Sequence, residues 1–336
     1  MKKGIKMENL NVAVVGASGL VGRKILEILE ERKFPVGRLF PFASAKSKGK
    51  KISFKGEDFV IDELTEDSFK GKDIDIALFA AGGSVSEKYI PLFIEEGIKV
   101  VDNSSFYRMA DGVPLVIPEV NGSIITDKDM LIANPNCSTI QSVLALKPIY
   151  DKYGIDRIVY NTYQAVSGGG ELALEDLYKK TNKKWKYKIA NNVLAQIDVF
   201  EDNGYTKEEM KMVNETRKIL EDPSLKITAT AVRVPVENSH GVSCNLSLKK
   251  PFALDELRKE LESFPGLKVV DDIKNEIYPI PTMATGTDEV YVGRIRKDES
   301  IKNGLNIWII ADNIRKGAAT NAVMNAEILM GVNNDF

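Results

Sequence analysis

Histidine occurs once in the 336 residues, and cysteine and tryptophan occur twice each. Two thiols, Cys137 and Cys244, make no disulfide framework and cannot build a four-thiolate zinc site, and one imidazole, His240, excludes a histidine-rich metal centre. No metal site is expected. No apolar run approaches the roughly 20 residues of a membrane span, and residues 1–10 lead straight into a strand pattern without the apolar core and cleavage site of an export signal. A cytoplasmic chain with no membrane partner is expected. The 46 Lys and Arg nearly cancel the 48 Asp and Glu, and a net charge of −2 leaves no electrostatic footprint for nucleic acid. What remains is an ordinary globular composition, 43% hydrophobic and 28% charged. At about 100–200 residues per domain, the length suggests two domains.

The first third alternates strand and helix. Residues 11–15 are a β-branched run; Gly16, Ala17, Ser18, Gly19, Leu20, Val21 and Gly22 follow at once; residues 24–31 then carry Ile25, Leu26, Ile28 and Leu29 at helical spacing. Apolar runs at 39–42, 74–80, 99–101 and 130–132, with a helical segment at 86–96, predict a Rossmann-like, doubly wound α/β domain. A helical segment at 137–153 leads into a second region. There, strand patterns at 157–166, 225–236, 243–248, 291–296 and 305–311 accompany helices at 172–180, 206–220 and 253–264. So few crossover helices predict an α+β domain with a mixed, largely antiparallel sheet. The alanine-rich segment 317–330 is placed to pack back on the first domain, and lysine-rich residues 185–192 predict an exposed loop.

A glycine turn between strand and helix lets backbone amides face a pyrophosphate. The spacing here is G-x-x-G-x-x-G, and a turn without a ligand is the bland alternative. The second strand ends on Ser44, Ala45, Lys46 and Ser47, where an NAD enzyme usually places an acid for the ribose 2′-hydroxyl. A lysine with two hydroxyls suits a 2′-phosphate instead and favours NADP, the alternative being a solvated basic loop. Cys137 lies in NPNCST, a turn just before a helical pattern, a position that stabilises a thiolate. Read alone, such a cysteine is more often a buried hydrophobe and a lone histidine more often structural. One nucleophile and one acid/base candidate beside a nicotinamide site form a rarer combination. Cys244, in a strand pattern, reads as packing.

In these blocks the chain resembles the bacterial aspartate-β-semialdehyde dehydrogenases. The matching segments run over essentially the whole length: VAVVGASGLVG, VVDNSSFYR, VPLVIPEVN, NPNCSTIQ, TYQAVSGGG, QIDVF with EEMK, RVPVENSH, VGRIRKD and ADNIRKGAA. NPNCSTIQ with YQAVSG downstream is specific. The resemblance implies an NADP domain of residues 9–136 completed by 316–336, a catalytic and dimerisation domain of residues 137–315, and a homodimer or homotetramer. It implies Cys137 as nucleophile and His240 as acid/base group, with Asn136 and Gln164 flanking the reacting acyl group. Arg233 then binds the substrate carboxylate, Glu208 its ammonium group, and Lys211 and Arg108 the phosphate. Ser167, Gly168 and Gly169 line the nicotinamide, and Asn313 contacts its carboxamide.

The implied reaction is NADPH-dependent conversion of β-aspartyl phosphate to aspartate-β-semialdehyde through a cysteine thioester, in biosynthesis of lysine, threonine, methionine and isoleucine. An N-acetyl-glutamyl-phosphate reductase is similar in fold and chemistry, but its acylated amine would leave Glu208 no cation to bind. A catalytically silent dinucleotide-binding relative would not need Cys137, His240, Arg233 and Gln164 together. Without the matching blocks, Glu208 and Lys211 would read as a surface i,i+3 pair. Two departures stand out: residues 170–195 are shorter than in many relatives, and residue 241 is Gly where relatives more often carry a side chain, which predicts a looser backbone after His240.

Overall fold

Val12, Ala13, Val14 and Val15 are buried in succession, as a strand covered on both faces requires. The computed structural model describes residues 9–332. Its packing divides the chain after Pro135 and again after Gly317, so that Asn136–Gly317 is one unit and the remainder the other. Asn136 and residues 316 and 317 thus go with the second unit, where the expected boundaries put them with the first. The expectation of no export signal falls mainly on residues 1–8, and the span 316–336 ends on residues 333–336; these lie outside the described residues.

The strands of the first unit are β1 (Leu10–Val15), β2 (Val36–Ala43), β3 (Lys51–Phe54), β4 (Glu57–Val60), β5 (Asp62–Glu63), β6 (Ile76–Phe79), β7 (Lys99–Asp102) and β8 (Leu131–Ala133). Six of them form a sheet in the order β5-β2-β1-β6-β7-β8 with every pairing parallel. The winding reverses between β1 and β6, and a crevice at the carboxyl ends of strands at such a switch point is where open α/β sheets bind ligands. Helix α1 (Leu20–Glu31) packs Ile25, Leu26, Ile28 and Leu29 into the apolar cluster on one face, while α2 (Gly83–Glu95) sets Ile90 and Phe93 into the cluster on the other. A single turn, α3 (Pro118–Asn121), precedes β8. The hairpin β3–β4 lies in a stretch for which the apolar runs predicted no strand; Ile52, Phe54 and Phe59 turn inward and join the cluster beside α1.

In the second unit β9 (Ile155–Gln164), β10 (Lys226–Arg233), β11 (His240–Leu248), β12 (Leu267–Val269), β13 (Val290–Asp298) and β14 (Gly304–Ala311) form a sheet in the order β10-β9-β11-β14-β13-β12. The three central pairings are antiparallel and the two outer ones parallel, the mixed sheet that was expected. The helices here are α4 (Cys137–Tyr153), α5 (Glu171–Lys179), α6 (Lys207–Ile219), α7 (Leu254–Ser263) and the single turn α8 (Pro281–Ala284). Residues 185–192 are irregular, yet Ile189 is buried and Trp185 half-buried in a cluster with Val166, Ala173 and Leu194, so the predicted loop is anchored. Gly241 is not loose: it pairs with Tyr163 and Ile310 inside β11, and a Cβ there would come 2.5 Å from the Trp308 ring. Cys244 is fully buried in the same strand, as packing requires.

The chain returns to the first unit through a π-helical turn, Arg315–Ala319, and α9 (Thr320–Met330). Ala319, Ala322, Val323 and Ala326 join the cluster around α1, where the alanine-rich segment was expected to pack. Among the described residues no helix is long and apolar enough to cross a membrane, and no three His, Cys, Asp or Glu side chains converge to hold a metal.

Candidate active site

In the first unit, β1 runs into the glycine turn at the switch point. Gly16 takes φ +86°, and a Cβ on it would lie 2.6 Å from the Ala80 carbonyl; one on Gly22 would lie 2.2 Å from the Gly16 carbonyl. Only glycine permits that backbone and that approach of helix to strand. Gly19 is the N-cap of α1, no side chain caps the helix, and its first turn carries no acid, so the leading amides around Ser18, Leu20 and Val21 and the helix dipole are left for an anion. Beside the turn, Ser18 Oγ lies 3.0 Å from Ser47 Oγ, with Ser44 and Lys46 exposed on the same short loop. Ala17 is buried under the turn. A glycine cradle, an open helix start and a lysine with hydroxyls fit a phosphorylated dinucleotide.

Arg108 also belongs to this unit. It is buried, donating from Nε to the Asn134 carbonyl at 2.9 Å and from Nη2 to the Asn103 carbonyl at 2.9 Å. The adjacent Asp102 accepts from Ser86 and Ser104, but burial dominates and pushes its carboxyl above the usual range in spite of those bonds and of Arg108.

In the second unit, the remaining candidates come from α4, α6, β9, β10 and β11, with the turn after β9 and Asn313 after β14. Cys137 is the first residue of the 17-residue helix α4. Asn136 caps it, its Oδ1 accepting from the amides of Ser138 at 2.9 Å and Thr139 at 3.3 Å. The start of this helix favours negative charge where the sulfur sits. Two carboxylates of α6 fix the cap: Glu215 accepts the Asn136 backbone N–H at 2.7 Å, and Glu208 accepts its side-chain amide at 2.9 Å.

Glu208 is buried and bonded at both carboxylate oxygens. Its Oε1 also accepts from Gln164 Nε2 at 3.1 Å, and its Oε2 lies 3.1 Å from Lys211 Nζ. Burial pushes this carboxyl up, but Lys211 and the two amides outweigh it and hold it below its usual range. Lys211 reaches a second acid, Asp198, at 2.9 Å, and these partners keep the ammonium raised against its desolvation. The i,i+3 pair is therefore no surface ornament: it lies under Gln164, at the end of β9.

Arg233, the last residue of β10, is also buried. Nη1 donates to the Ala165 carbonyl at 2.6 Å, the guanidinium lies 5.8 Å from the Trp185 ring, and Nε has no partner among the described residues. Burial lowers its affinity for a proton, while Glu208 and Cys137 nearby raise it. His240 opens β11 in full burial; Nδ1 accepts from the Ala165 amide at 2.9 Å, and Nε2 has no partner among the described residues. Burial, then the charge of Arg233, hold the imidazole well below its ordinary range, so the ring is neutral.

Gly168 stands between these two side chains. A Cβ on it would lie 3.1 Å from Arg233 Nη1 and 3.3 Å from His240 Nε2, so the glycine keeps that space open. With Ser167 and Gly169 it forms a tight turn, Val166–Gly169, and Ser167 Oγ accepts from Asn313 Nδ2 at 3.0 Å. The Oδ1 of Asn313 is occupied in turn, accepting the Ser239 amide at 2.9 Å.

The structure thus brings together Cys137, Asn136, Gln164, Glu208, Lys211, Arg233, His240, Ser167, Gly168, Gly169 and Asn313 in one unit, with the glycine turn, Ser44, Lys46, Ser47 and Arg108 in the other. Glu215 and Gln141, whose Nε2 donates to the His240 carbonyl at 3.0 Å, were not anticipated. A signal existed for Glu215: with Glu208 and Lys211 it repeats at helical spacing on α6.

Comparison with known proteins follows the same division. Residues 11–128 match the family described as semialdehyde dehydrogenase, NAD binding domain, and residues 146–316 the semialdehyde dehydrogenase dimerisation domain. The chain is 53% identical over 333 residues to the aspartate-semialdehyde dehydrogenase of Aquifex aeolicus (strain VF5), covering 95% of this chain and 97% of that protein. Among solved structures, aspartate semialdehyde dehydrogenase II complexed with ASA from Vibrio cholerae superposes with a TM-score of 0.92 at 43% identity, covering 96% of this chain and 99% of that one. Aspartate semialdehyde dehydrogenase with NADP from Candida albicans does so with a TM-score of 0.77 at 25% identity, covering 96% and 98%. The parallel-sheet unit is a NAD(P)-binding domain and the mixed-sheet unit a dimerisation domain.

Proposed function

The chain belongs to the aspartate-semialdehyde dehydrogenases, oxidoreductases with a nicotinamide-binding domain, and from that premise we propose that it reduces L-β-aspartyl phosphate to L-aspartate-β-semialdehyde and phosphate, with NADPH, through a thioester on Cys137. The observation that carries this is a pair of buried nitrogens without partners among the described residues, Arg233 Nε and His240 Nε2, on two side chains that both approach Gly168 in the unit that presents Cys137. Buried donors without acceptors are costly unless a substrate supplies them.

Arg233 suits the substrate carboxylate, and Glu208, kept ionised by Lys211, suits its ammonium group. Lys211 and Arg108 are assigned to the phosphate. Cys137 attacks the acyl carbon, phosphate departs, and a thioester remains; Gln164 and Asn136 hold the acyl group in place. The nicotinamide cofactor, when bound, supplies the hydride that reduces this thioester. Gly16 through Gly22 would hold its pyrophosphate, Ser44, Lys46 and Ser47 its 2′-phosphate, and Ser167, Gly168, Gly169 and Asn313 its nicotinamide end. His240 Nε2–H meets the developing oxyanion, a contribution often worth about 3–4 kcal/mol, and Cys137 leaves as the aldehyde forms. The product feeds lysine, threonine, methionine and isoleucine synthesis, in a cytoplasmic homodimer or homotetramer.

The test is phosphate-dependent reduction of NADP by aspartate-β-semialdehyde, beside NAD and beside N-acetylglutamate semialdehyde. Phosphate-dependent turnover with NADP and the aspartyl aldehyde is expected. Faster turnover of the N-acetylated aldehyde would reassign the substrate, and equal use of NAD would remove the role given to Lys46.

A further inference from the structure

Four asparagines are linked through their side chains inside the first unit. Asn321 and Asn325, one turn apart on α9, are both fully buried. Each donates from Nδ2 to the same two acceptors, the Val116 carbonyl at 2.9 and 3.1 Å and Asn134 Oδ1 at 2.7 and 3.2 Å. Asn134 donates onward from Nδ2 to Asn103 Oδ1 at 2.8 Å, and Asn103 Nδ2 donates in turn to the Phe79 carbonyl at 3.0 Å. A peptide carbonyl only accepts, so Val116 fixes the two amides on α9 and Phe79 fixes that of Asn103. Asn134, between them, can then point only one way.

This amide ladder carries Arg108. Nε donates to the Asn134 carbonyl and Nη2 to the Asn103 carbonyl, each at 2.9 Å. The two carbonyls follow different strands, β8 and β7, just past the last paired residues, Asp102 and Ala133, where the sheet ceases to set their spacing. A guanidinium presents its N–H groups in a rigid fork and needs that spacing fixed. The side-chain bond from Asn134 to Asn103 fixes it, and the bonds to α9 and to the end of β6 hold the pair from either side. Asn321 Oδ1 and Asn325 Oδ1, meanwhile, are buried with no partner among the described residues. They are a standing cost to the fold that an apolar helix face would not carry.

We infer that Asn321 and Asn325 are positioning residues for Arg108: through Asn134 and Asn103 they set the plane of its guanidinium, and with it the affinity of the enzyme for phosphate. They act through the arginine and are not themselves catalytic. The link to phosphate rests on the role proposed above for Arg108; the link from α9 to the guanidinium does not.

Two measurements separate these links. The Arg108 Nε–H resonance is identified in a nitrogen–proton NMR spectrum by its absence from Arg108→Lys. Its exchange with solvent is expected to be about tenfold faster in Asn321→Leu/Asn325→Leu than in wild type; an unchanged rate overturns the inference. In phosphate-dependent reduction of NADP by aspartate-β-semialdehyde, the same double variant is expected to raise KM for phosphate by about tenfold, and KM for the aldehyde and for NADP by less than about twofold. Equal rises in all three mark general damage to the fold and overturn it. The rise for phosphate is expected to vanish on the Arg108→Lys background, because a lysine has no fork for the two carbonyls to hold; additive losses overturn it. Asn321→Leu alone leaves Asn325 on both acceptors and stands in should the double variant not fold. Faster exchange and a smaller rise in KM for phosphate are expected there, and wild-type values of both overturn the inference. If Arg108→Lys itself leaves KM for phosphate unchanged, the phosphate assignment of Arg108 falls, while the exchange rates still decide whether the asparagines hold it.

Discussion

The two units offer a charged ligand opposite kinds of surroundings. The parallel-sheet unit uses what is missing: no Cβ at Gly16 or Gly22, no side-chain cap and no acid at the start of α1. The mixed-sheet unit relies on what is present: Asn136, Gln164, Glu208, Lys211, Glu215 and Arg233, charged or amide side chains, and the neutral ring of His240, which hydrogen bonds and burial fix in place. Backbone geometry suits a ligand part common to many enzymes, a pyrophosphate, whereas side chains can distinguish one amino acid from another and supply a nucleophile. Damage to the first unit should act through added atoms, and damage to the second through removed ones.

Cys137→Ala tests that contrast most severely. Turnover should fall by about 10⁴-fold or more while cofactor affinity, measured by fluorescence titration, stays as in wild type. A residual rate near wild type would sink the thioester scheme. Next in size is Glu208→Gln, which keeps the shape and deletes the charge that Lys211 balances; KM for the aldehyde should rise by roughly 30- to 100-fold, about 2–3 kcal/mol. An unaffected KM would show that the ammonium group binds elsewhere. In the other unit, Gly22→Ala adds one methyl where the Gly16 carbonyl already stands 2.2 Å away. It should destabilise by about 1–3 kcal/mol and weaken the cofactor, leaving alkylation of Cys137 intact; a normal urea midpoint would refute the packing argument.

Acid should separate the units as well. The folded His240 binds its proton well below the ordinary 6.5, so its contribution is full above that pH and lost as pH falls below it, by up to about 1.4 kcal/mol per unit. Asp102 has the opposite sign: its folded value lies above the ordinary 3.8, so the first unit gains as pH falls through that folded value. Between about pH 7 and 5, the range in which histidine ordinarily titrates, hydrogen-exchange protection, corrected for the intrinsic fall of the exchange rate with pH, should drop in β9 and β11 before β7, and the slope should flatten in His240→Gln. Persistence of the slope in that variant would assign it to another group. Smallest is Lys46→Ser, on an exposed loop, which should reduce the preference for NADP over NAD by about fivefold; an unchanged ratio of kcat/KM values would leave the 2′-phosphate to other residues.

Elements with strong apolar periodicity were legible in the sequence, and several ends were missed by only a residue or two, as at β1, β14 and α6. The β3–β4 hairpin was not, because Lys48, Lys50 and Lys51 mask a short alternation, Ile52, Phe54 and Phe59, whose burial depends on α1 being there. His240 was expected just ahead of a strand and is instead its first residue, since pairing with Ala311 extends β11 backwards. The candidate residues were picked out by motif. Motifs mark groups that touch a ligand and say little about those that hold them: Glu215 under the Asn136 amide and Gln141 under the His240 carbonyl act through backbone atoms, and only Glu215, at helical spacing from Glu208 and Lys211, left a trace in the sequence.

The close fit of Gly241 against the Trp308 ring reaches beyond this chain. A side chain after the histidine would leave no room for that indole where it lies, and a chain that keeps the indole has no room for a side chain. Neither replacement is accepted freely on the background of the other. Across relatives, positions 241 and 308 should therefore drift as a couple, with a bulky residue at one tracking a small residue at the other, and the order of mutation is constrained: the glycine comes first, then the tryptophan.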